Sequence, residues 1–269
     1  MIKCAELNRV FDTKKEMFKA LKSNKDHIIS LKKGAVKNSD GFPYTAQNNL
    51  HQTKSIEGLE KGFIYPVINT TKYMDSHHDV HFDGIWNKSI KEQQGNVYYL
   101  VNHQLEIGKV IAYPENVEMM IKEIEWKDLG KNYSGTTQAL IFKTKIFDYS
   151  NKDAAYVIEN RLKAENSIRM QYVKMNLAIN DESKEFKEEK AYYDKHINTI
   201  SNKEMAEELG YFWGIEEAKI YKEGSMVLLG SNDATPIIYE ADEKSLHEEE
   251  AAGNALQESR KQFLQNLIS

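Results

Sequence analysis

His103 lies where an apolar, β-prone run ends, and it is the first candidate for chemistry in this chain. The run Tyr99–Val101 leads into Asn102 and His103, and Gly108 follows inside a second apolar run. A strand that ends at a histidine, with a glycine that permits a tight turn into the next strand, holds an imidazole at a sheet edge. An imidazole held there can act as a general base near neutral pH. The alternative is a structural histidine, which is the commoner role for a single one.

Two further segments carry the groups that such a base needs. Ser167 begins a predicted strand directly after a predicted helix, so its hydroxyl can point toward a neighbouring strand end. No Gly-x-Ser-x-Gly motif surrounds it, which excludes the nucleophile elbow of α/β-hydrolases. Glu223 leads a short apolar strand and could orient an imidazole as the acidic member of a triad. A solvated serine and an edge-strand glutamate are the simpler interpretations of these two residues.

The short strand after Glu223 is predicted to end in a turn formed by Gly230, Ser231 and Asn232. Backbone N–H groups in such a turn can bind a developing oxyanion. The turn therefore supplies the fourth requirement of acyl transfer, beside a nucleophile, a base and an orienting acid.

Composition excludes several other classes of protein. The net charge of -5 and a pI near 6.0 leave no overall basic surface, so we expect no nucleic-acid partner. The single cysteine, Cys4, excludes an intrachain disulfide and a cysteine-based zinc site. Because there is no apolar run of membrane-spanning length and no signal-peptide core, we expect a reducing cytoplasm and no membrane contact.

His77, His78 and His81 are close enough in sequence to suggest a metal site. In a β-strand, however, His77 and His81 would share one face and His78 would lie on the other. No further histidine or aspartate pair completes the set, so we expect neither a metal nor a cofactor. Cys4 has no histidine among its sequence neighbours and is expected to be inert.

The hydropathy pattern predicts an α+β protein in three parts. Residues 1–61 form an N-terminal helical segment and a polar linker, with a helix over Asp12–Lys33, a capping box Thr13–Glu16 and a stop at Gly34. Residues 62–240 form the core, with a helix between Asn151 and Lys163. Residues 241–269 form a helical tail with an apolar end.

The core is predicted to be a β-rich barrel or a strongly curved antiparallel sheet surrounded by helices. A charged insertion at about 181–210 interrupts its strands and is predicted to be helical and to project from the core, with a capping box Ser201–Glu204 and a stop at Gly210. The predicted strands are Phe63–Ile68, Val97–Asn102, Lys109–Tyr113, Met119–Trp126, Ala139–Phe147, Ile168–Leu177, Ile215–Tyr221, Ser225–Leu229 and Pro236–Tyr239.

The order of these segments resembles the prohead (capsid-maturation) serine proteases of tailed bacteriophages, which share a fold with herpesvirus assemblin. Four blocks carry the resemblance, which spans roughly residues 64–238, and its specificity lies in their order. Asp75–Ile90 is similar to the family's Asp-x-x-x-Asp-x-x-x-x-Gly segment before a Trp or Phe. Asn102-His103 followed by Ile107-Gly-Lys-Val110, Ser167-Ile168 after a helix, and Glu223-Gly-Ser-Met-Val227 are similar to the family's later blocks.

The resemblance implies Ser167 as the nucleophile, His103 as the general base and Glu223 as the third member of a triad. The chain departs from the pattern at two places, since Arg169 replaces a small residue after Ser-Ile and a Ser-Asn pair replaces assemblin's Arg-Arg. The positions that correspond to the oxyanion-hole and substrate-binding segments are Arg169, Ser231 and Asn232.

The resemblance further implies a serine endopeptidase that processes scaffold and major capsid protein, and its own chain, during procapsid maturation. It implies a homodimer without cofactor, inside the assembling procapsid in the host cytoplasm. A catalytically silent assembly or scaffolding module of the same fold is the alternative. A hydrolase of another acyl substrate is a third candidate.

Overall fold

The computed structural model describes residues 1–34, 37–38 and 59–239. Most of the predicted polar linker, and the whole predicted C-terminal tail, lie outside the described residues. The strands are β1 (Ile2–Cys4), β2 (Arg9–Phe11), β3 (Lys37–Asn38), β4 (Ile64–Thr70), β5 (Asp79–His81), β6 (Tyr98–Val101), β7 (Val110–Ala112), β8 (Glu118–Glu125), β9 (Thr136–Lys143), β10 (Glu165–Ile179), β11 (Tyr211–Val227) and β12 (Ile237–Tyr239). The helices are α1 (Lys14–Ser23), α2 (Lys25–Gly34), α3 (Asn87–Gln93), α4 (Lys152–Glu159), α5 (Lys187–His196) and α6 (Lys203–Leu209).

The strands form three sheets, and the fold is α+β as predicted. The largest sheet has the order β3-β10-β11-β6-β7, with β5 also pairing to β11. A four-stranded sheet has the order β12-β4-β9-β8, and β1 pairs with β2. Over the described part of the chain none of these sheets closes into a barrel, so the barrel alternative of the prediction is wrong.

Two long strands, β10 and β11, form the centre of the largest sheet. They pair antiparallel along almost their whole length. The N-terminal half of β11 also pairs in parallel with β5, and its C-terminal half pairs in parallel with β6. The two strands predicted at 215–221 and 225–229 are therefore one strand, because the polar residues between them belong to a bulge rather than to a turn.

The N-terminal segment folds as two short helices instead of the single predicted helix. Thr13 caps α1 as predicted, since its Oγ1 accepts a hydrogen bond from the Glu16 N–H at 3.2 Å. Asn24 is the C-cap of α1, and its side-chain amide donates to the Ala20 carbonyl, which also accepts the Asn24 backbone N–H. This local competition with the helix ladder was not visible in the apolar periodicity, which continues into α2.

The charged insertion is helical, but it packs against the core rather than projecting from it. Phe186, Tyr193, Ile197 and Ile200 are all buried, and α5 lies against β10. The predicted capping box is absent: Asn202 precedes α6, and its side chain bonds to the backbone of Met74 instead. The predicted stop is confirmed, since Gly210 ends α6 in the left-handed conformation with φ of 78°.

Large aromatic side chains fill the interior. Trp86, Trp126 and Trp213, which lie in or beside β-prone segments, are all fully buried. No helix within the described ranges is long and apolar enough to cross a membrane.

Candidate active site

Three adjacent strands of the largest sheet bring the predicted triad residues together. Ser167 on β10 is paired directly with Ser225 on β11, and Ser225 is paired with Leu100 on β6. β10 and β6 are the two neighbours of β11 in the sheet. Because β6 runs parallel to β11, the chain that leaves its end places Asn102 and His103 beside β11, near Ser167 on the neighbouring β10. Residues far apart in the chain therefore meet at one place in the sheet.

The imidazole of His103 lies between the side chains of Ser167 and Glu223. His103 Nε2 is 2.7 Å from Ser167 Oγ, and His103 Nδ1 is 2.7 Å from Glu223 Oε1. The exposed fractions of Ser167, His103 and Glu223 are 1%, 6% and 0%. Nδ1 thus faces the buried carboxyl group and Nε2 faces the serine hydroxyl, which is the order of groups in a nucleophile–base–acid triad.

The turn that presents His103 is built by Asn102 and His103 themselves. Both have left-handed backbones, with φ of 51° and 57°. For residues other than glycine this costs about 1 kcal/mol each, so the surrounding contacts must hold the turn in place. Gly108 was predicted to permit this turn. It lies instead in a short 3-10 helix over Ile107–Lys109 and has no positive φ, so that prediction is wrong.

A bulge in β11 directs Glu223 inward. Lys222 has φ of 67°, and β11 gains residues relative to β10 between the pairs Met170–Ile220 and Ile168–Gly224. Tyr221 and Lys222 are consecutive exposed residues, after which Glu223 is fully buried. The bulge thus reverses the inward and outward alternation of the strand. Glu223 therefore lies within a strand, not at its beginning as predicted.

Ser225 is a further member of the site, and the sequence indicated it only as part of the block Glu223–Val227. Its hydroxyl donates to Glu223 Oε2 at 2.6 Å and accepts from the His103 backbone N–H at 3.0 Å. Residues i and i+2 of a strand share a face, so Ser225 lies beside Glu223 beneath the imidazole. The sequence signal that could have identified Ser225 is its position two residues after Glu223, on the same face of a strand.

The turn after β11 is fastened to the strand that carries Ser167. Thr235 Oγ1 donates to the Asn166 carbonyl, and the Asn166 N–H donates to the Thr235 carbonyl at 2.9 Å. The Gly230 N–H donates to Glu165 Oε2 at 2.7 Å, so one backbone donor of the predicted oxyanion turn is already occupied. Burial raises the pKa of Glu165 above its ordinary value.

The three residues predicted for oxyanion or substrate binding have different surroundings. Asn232 Oδ1 accepts from the Ala234 N–H and its Nδ2 donates to Thr70 Oγ1, so its side chain stabilises the turn. The Ser231 carbonyl accepts from the Ser76 N–H. Arg169 follows Ser167 on β10, and its buried Nε has no hydrogen-bond partner in the described part of the chain. An oxyanion contribution from the Ser231-Asn232 pair would therefore come from backbone N–H groups.

Two of the three clustered histidines, His78 and His81, contact different partners. His81 Nδ1 contacts the Asn69 side chain, whereas His78 Nδ1 contacts Glu6 Oε1 and the Tyr211 hydroxyl. Among the residues described, no group of three or more metal-ligating side chains is close enough to hold an ion.

Cys4 is buried beside the Glu6 carboxylate. Burial, reinforced by that negative charge, raises the pKa of its thiol to about 11. A thiol with this pKa is protonated at neutral pH and is a poor nucleophile, in line with the expected inertness.

The arrangement has the nucleophile, base and orienting acid that nucleophilic acyl transfer by a serine requires. A hydroxyl in hydrogen-bond contact with an imidazole, which is itself held by a buried carboxylate, has the geometry that activates a serine.

Compared with protein-family models, with curated proteins and with solved structures, the chain matches none.

Proposed function

We propose that this protein is a serine endopeptidase of the assemblin-like prohead protease class, with Ser167, His103 and Glu223 as its triad. The observation that carries the proposal is the pair of 2.7 Å contacts through which His103 links the other two side chains. Its support from the sequence is the ordered set of blocks that resembles the capsid-maturation proteases. The bulge at Lys222 and the left-handed turn at His103 each have a cost in conformational free energy, and both bring His103 and Glu223 into this contact.

In the proposed reaction His103 Nε2 takes the proton of Ser167 as Oγ attacks a peptide carbonyl. The proton then passes to the leaving amine, and a water molecule releases the acyl group by the same route in reverse. Glu223 holds the proton on Nδ1 and stabilises the imidazolium. Backbone N–H groups of the Gly230–Asn232 turn would bind the oxyanion once the Glu165 carboxylate leaves Gly230.

The proposed substrates are scaffold and major capsid protein, together with the chain's own segments, during maturation of a phage procapsid. This part of the proposal depends on the resemblance, as do the homodimer and the location inside the procapsid in the host cytoplasm. The site needs no metal or cofactor for this reaction, and the proposal includes no nucleic-acid or membrane partner.

A catalytically silent assembly module of the same fold is the second candidate. It is favoured by two observations: Ser167 is only 1% exposed, and the Gly230 N–H is taken by Glu165. These features describe a site that is closed to substrate in this conformation.

Labelling with a fluorophosphonate separates the two candidates, because the probe reacts with an activated serine irrespective of the natural substrate. We expect modification at Ser167, lost in His103→Ala and retained in His196→Ala, a histidine of α5. An unlabelled wild-type protein would contradict the proposal and favour the silent module. Mass spectrometry of co-expressed scaffold and shell protein then distinguishes a peptidase from a hydrolase of other acyl substrates.

A further inference from the structure

The backbone of His103 needs support that the triad itself does not provide. Two consecutive left-handed residues, Asn102 and His103, aim the imidazole at Ser167. The Asn102 N–H donates to the Met226 carbonyl at 3.0 Å, and the His103 N–H donates to Ser225 Oγ at 3.0 Å. The second contact depends on a side chain, so a substitution at position 225 removes it.

The Ser225 hydroxyl has its donor and acceptor roles fixed by its neighbours. A backbone N–H can only donate, so Oγ accepts from His103. Its single proton is therefore directed to Glu223 Oε2, at 2.6 Å. The residue is fully buried, so its hydroxyl is out of contact with bulk solvent.

These contacts close a ring around the base. The ring runs from the His103 imidazole to Glu223 Oε1, from Glu223 Oε2 to the Ser225 hydroxyl, and from that hydroxyl back to the His103 N–H. Both the backbone and the imidazole of His103 are thus linked to the Glu223 carboxylate, and each carboxylate oxygen has a defined donor.

We propose that Ser225 is a positioning residue that orients Glu223 and fixes the backbone of His103, so that the imidazole is held on line with Ser167. This inference rests on the proposed serine-protease function. It adds a fourth side chain to the site, one that touches neither the nucleophile's proton nor the substrate. It lies on the central strand, where it is paired directly with Ser167 and contacts both His103 and Glu223.

The test measures the rate of fluorophosphonate labelling at Ser167 in Ser225→Ala. We expect a rate about 10- to 100-fold below wild type, because small displacements of a catalytic group have effects of this size. The Ser225→Thr variant, which keeps the hydroxyl, should recover most of the rate. With a peptide substrate, kcat should fall while KM changes little.

Ser89→Ala is the matched control. Ser89 is also buried, and its hydroxyl also accepts from a backbone N–H of β11, that of Ile220 at 2.8 Å, but it lies away from the triad. Both alanine variants should lose similar stability in chemical unfolding, and only Ser225→Ala should lose reactivity. Equal labelling rates in the two folded variants would overturn the inference and leave the proposed function intact.

A measurement on the unmodified protein covers the case in which Ser225→Ala does not fold. In proton NMR we expect a slowly exchanging Ser225 hydroxyl proton, with nuclear Overhauser contacts to the His103 amide and Hδ1 protons. A Ser225 hydroxyl proton in fast exchange with water would contradict this ring of hydrogen bonds. Wild-type protein that fails to label at Ser167 would overturn both this inference and the proposed function.

Discussion

Ser167 and Ser225 face each other across the ladder between β10 and β11, one as the candidate nucleophile and the other beneath the candidate base. Directly opposed residues in an antiparallel pair have neighbouring side chains on one face of the sheet. The relationship explains how a hydroxyl, an imidazole and a carboxylate converge without a cleft between domains. The register of one strand pair, offset by the bulge at Lys222, sets the spacing of the site.

The first prediction concerns the rank order of the triad. Ser167→Ala should abolish processing of capsid protein, a loss of about 10⁶ in kcat, whereas Glu223→Gln should reduce it by roughly 10²–10⁴. The glutamine keeps the shape but loses the charge that stabilises the imidazolium. The measurement is peptide cleavage followed by mass spectrometry. Full processing by Ser167→Ala would remove that residue from the role of nucleophile.

The second prediction concerns Glu165 and pH. Since burial raises its pKa above the ordinary 4.5, the folded protein holds this proton more tightly than the unfolded chain. The stabilisation from protonated Glu165 is present below pH 4.5 and is lost as pH rises through the folded-state pKa. Glu165→Gln has no such loss, so its Tm advantage over wild type should grow from pH 4.5 to pH 7.

Thermal unfolding at several pH values measures this difference. Glu159→Gln, at an exposed position of α4, is the control and should show a constant offset from wild type. A Tm difference for Glu165→Gln that does not vary with pH would contradict the assignment. The same variant should label faster at Ser167, because a neutral amide competes less strongly for the Gly230 N–H.

The third prediction concerns the buried ion pair between Lys32 and Asp79, which joins α2 to β5. Asp79 is fully buried and also accepts from the Tyr172 hydroxyl at 2.8 Å. Lys32→Met should destabilise the fold by about 3–5 kcal/mol, because it removes the ammonium group that pairs with a buried carboxylate. Adding Asp79→Asn should recover part of this loss.

Chemical unfolding measures both variants. Lys15→Met, on the exposed face of α1, is the control and should change the free energy of unfolding by less than about 0.5 kcal/mol. If Lys32→Met and Lys15→Met have equal effects, the pair does not hold α2 to the core.

The fourth prediction concerns the N-terminal segment, which is an integral part of the fold. Cys4, Met17, Phe18 and Leu21 are buried in the main core. Burial of each large side chain contributes about 1.5–3 kcal/mol, so removing residues 1–34 should exhaust the 5–15 kcal/mol of a typical domain. The truncated chain should lack cooperative thermal unfolding, and a mature form should therefore retain this segment.

A graded version of the same test uses single substitutions. Met17→Ala should cost about 2–5 kcal/mol, as for other large-to-small changes in a core. Val10→Ala, at a residue 56% exposed, should cost much less. Cooperative unfolding of the truncated chain at the wild-type Tm would show that residues 1–34 are dispensable.

The fifth prediction compares two glycines near the site. A Cβ at Gly224 would lie 2.8 Å from the Phe142 ring and 3.0 Å from the Ile68 side chain, so Gly224→Ala requires either β11 or these buried side chains to shift. We expect a loss of about 1–3 kcal/mol and slower labelling. Gly108→Ala meets no atom within 4 Å and should leave both quantities unchanged. A strong effect at Gly108 would restore its predicted role in the turn.

Much of the local structure followed from the sequence because it depends on short-range physics. The Thr13 cap and the Gly210 stop are contacts within one helix turn. By contrast, the break at Asn24 and the absence of a capping box before α6 depend on competing partners, which for Asn202 lie more than a hundred residues away. Burial of the insertion likewise depends on a surface that the rest of the chain builds.

For the candidate site, the types and order of the groups could be read from the sequence: a histidine at a strand end, a serine at a strand start and an acid with a serine two residues later. The positions of β6 and β10 on either side of β11, and the bulge at Lys222 that turns Glu223 inward, depend on the folded chain. Strand order and register are set by long-range pairing, which leaves no local pattern in the chain. For the same reason, no local pattern predicts the hydrogen bond between Glu165 and Gly230, or the hydrogen bonds by which Ser225 links Glu223 to the His103 backbone.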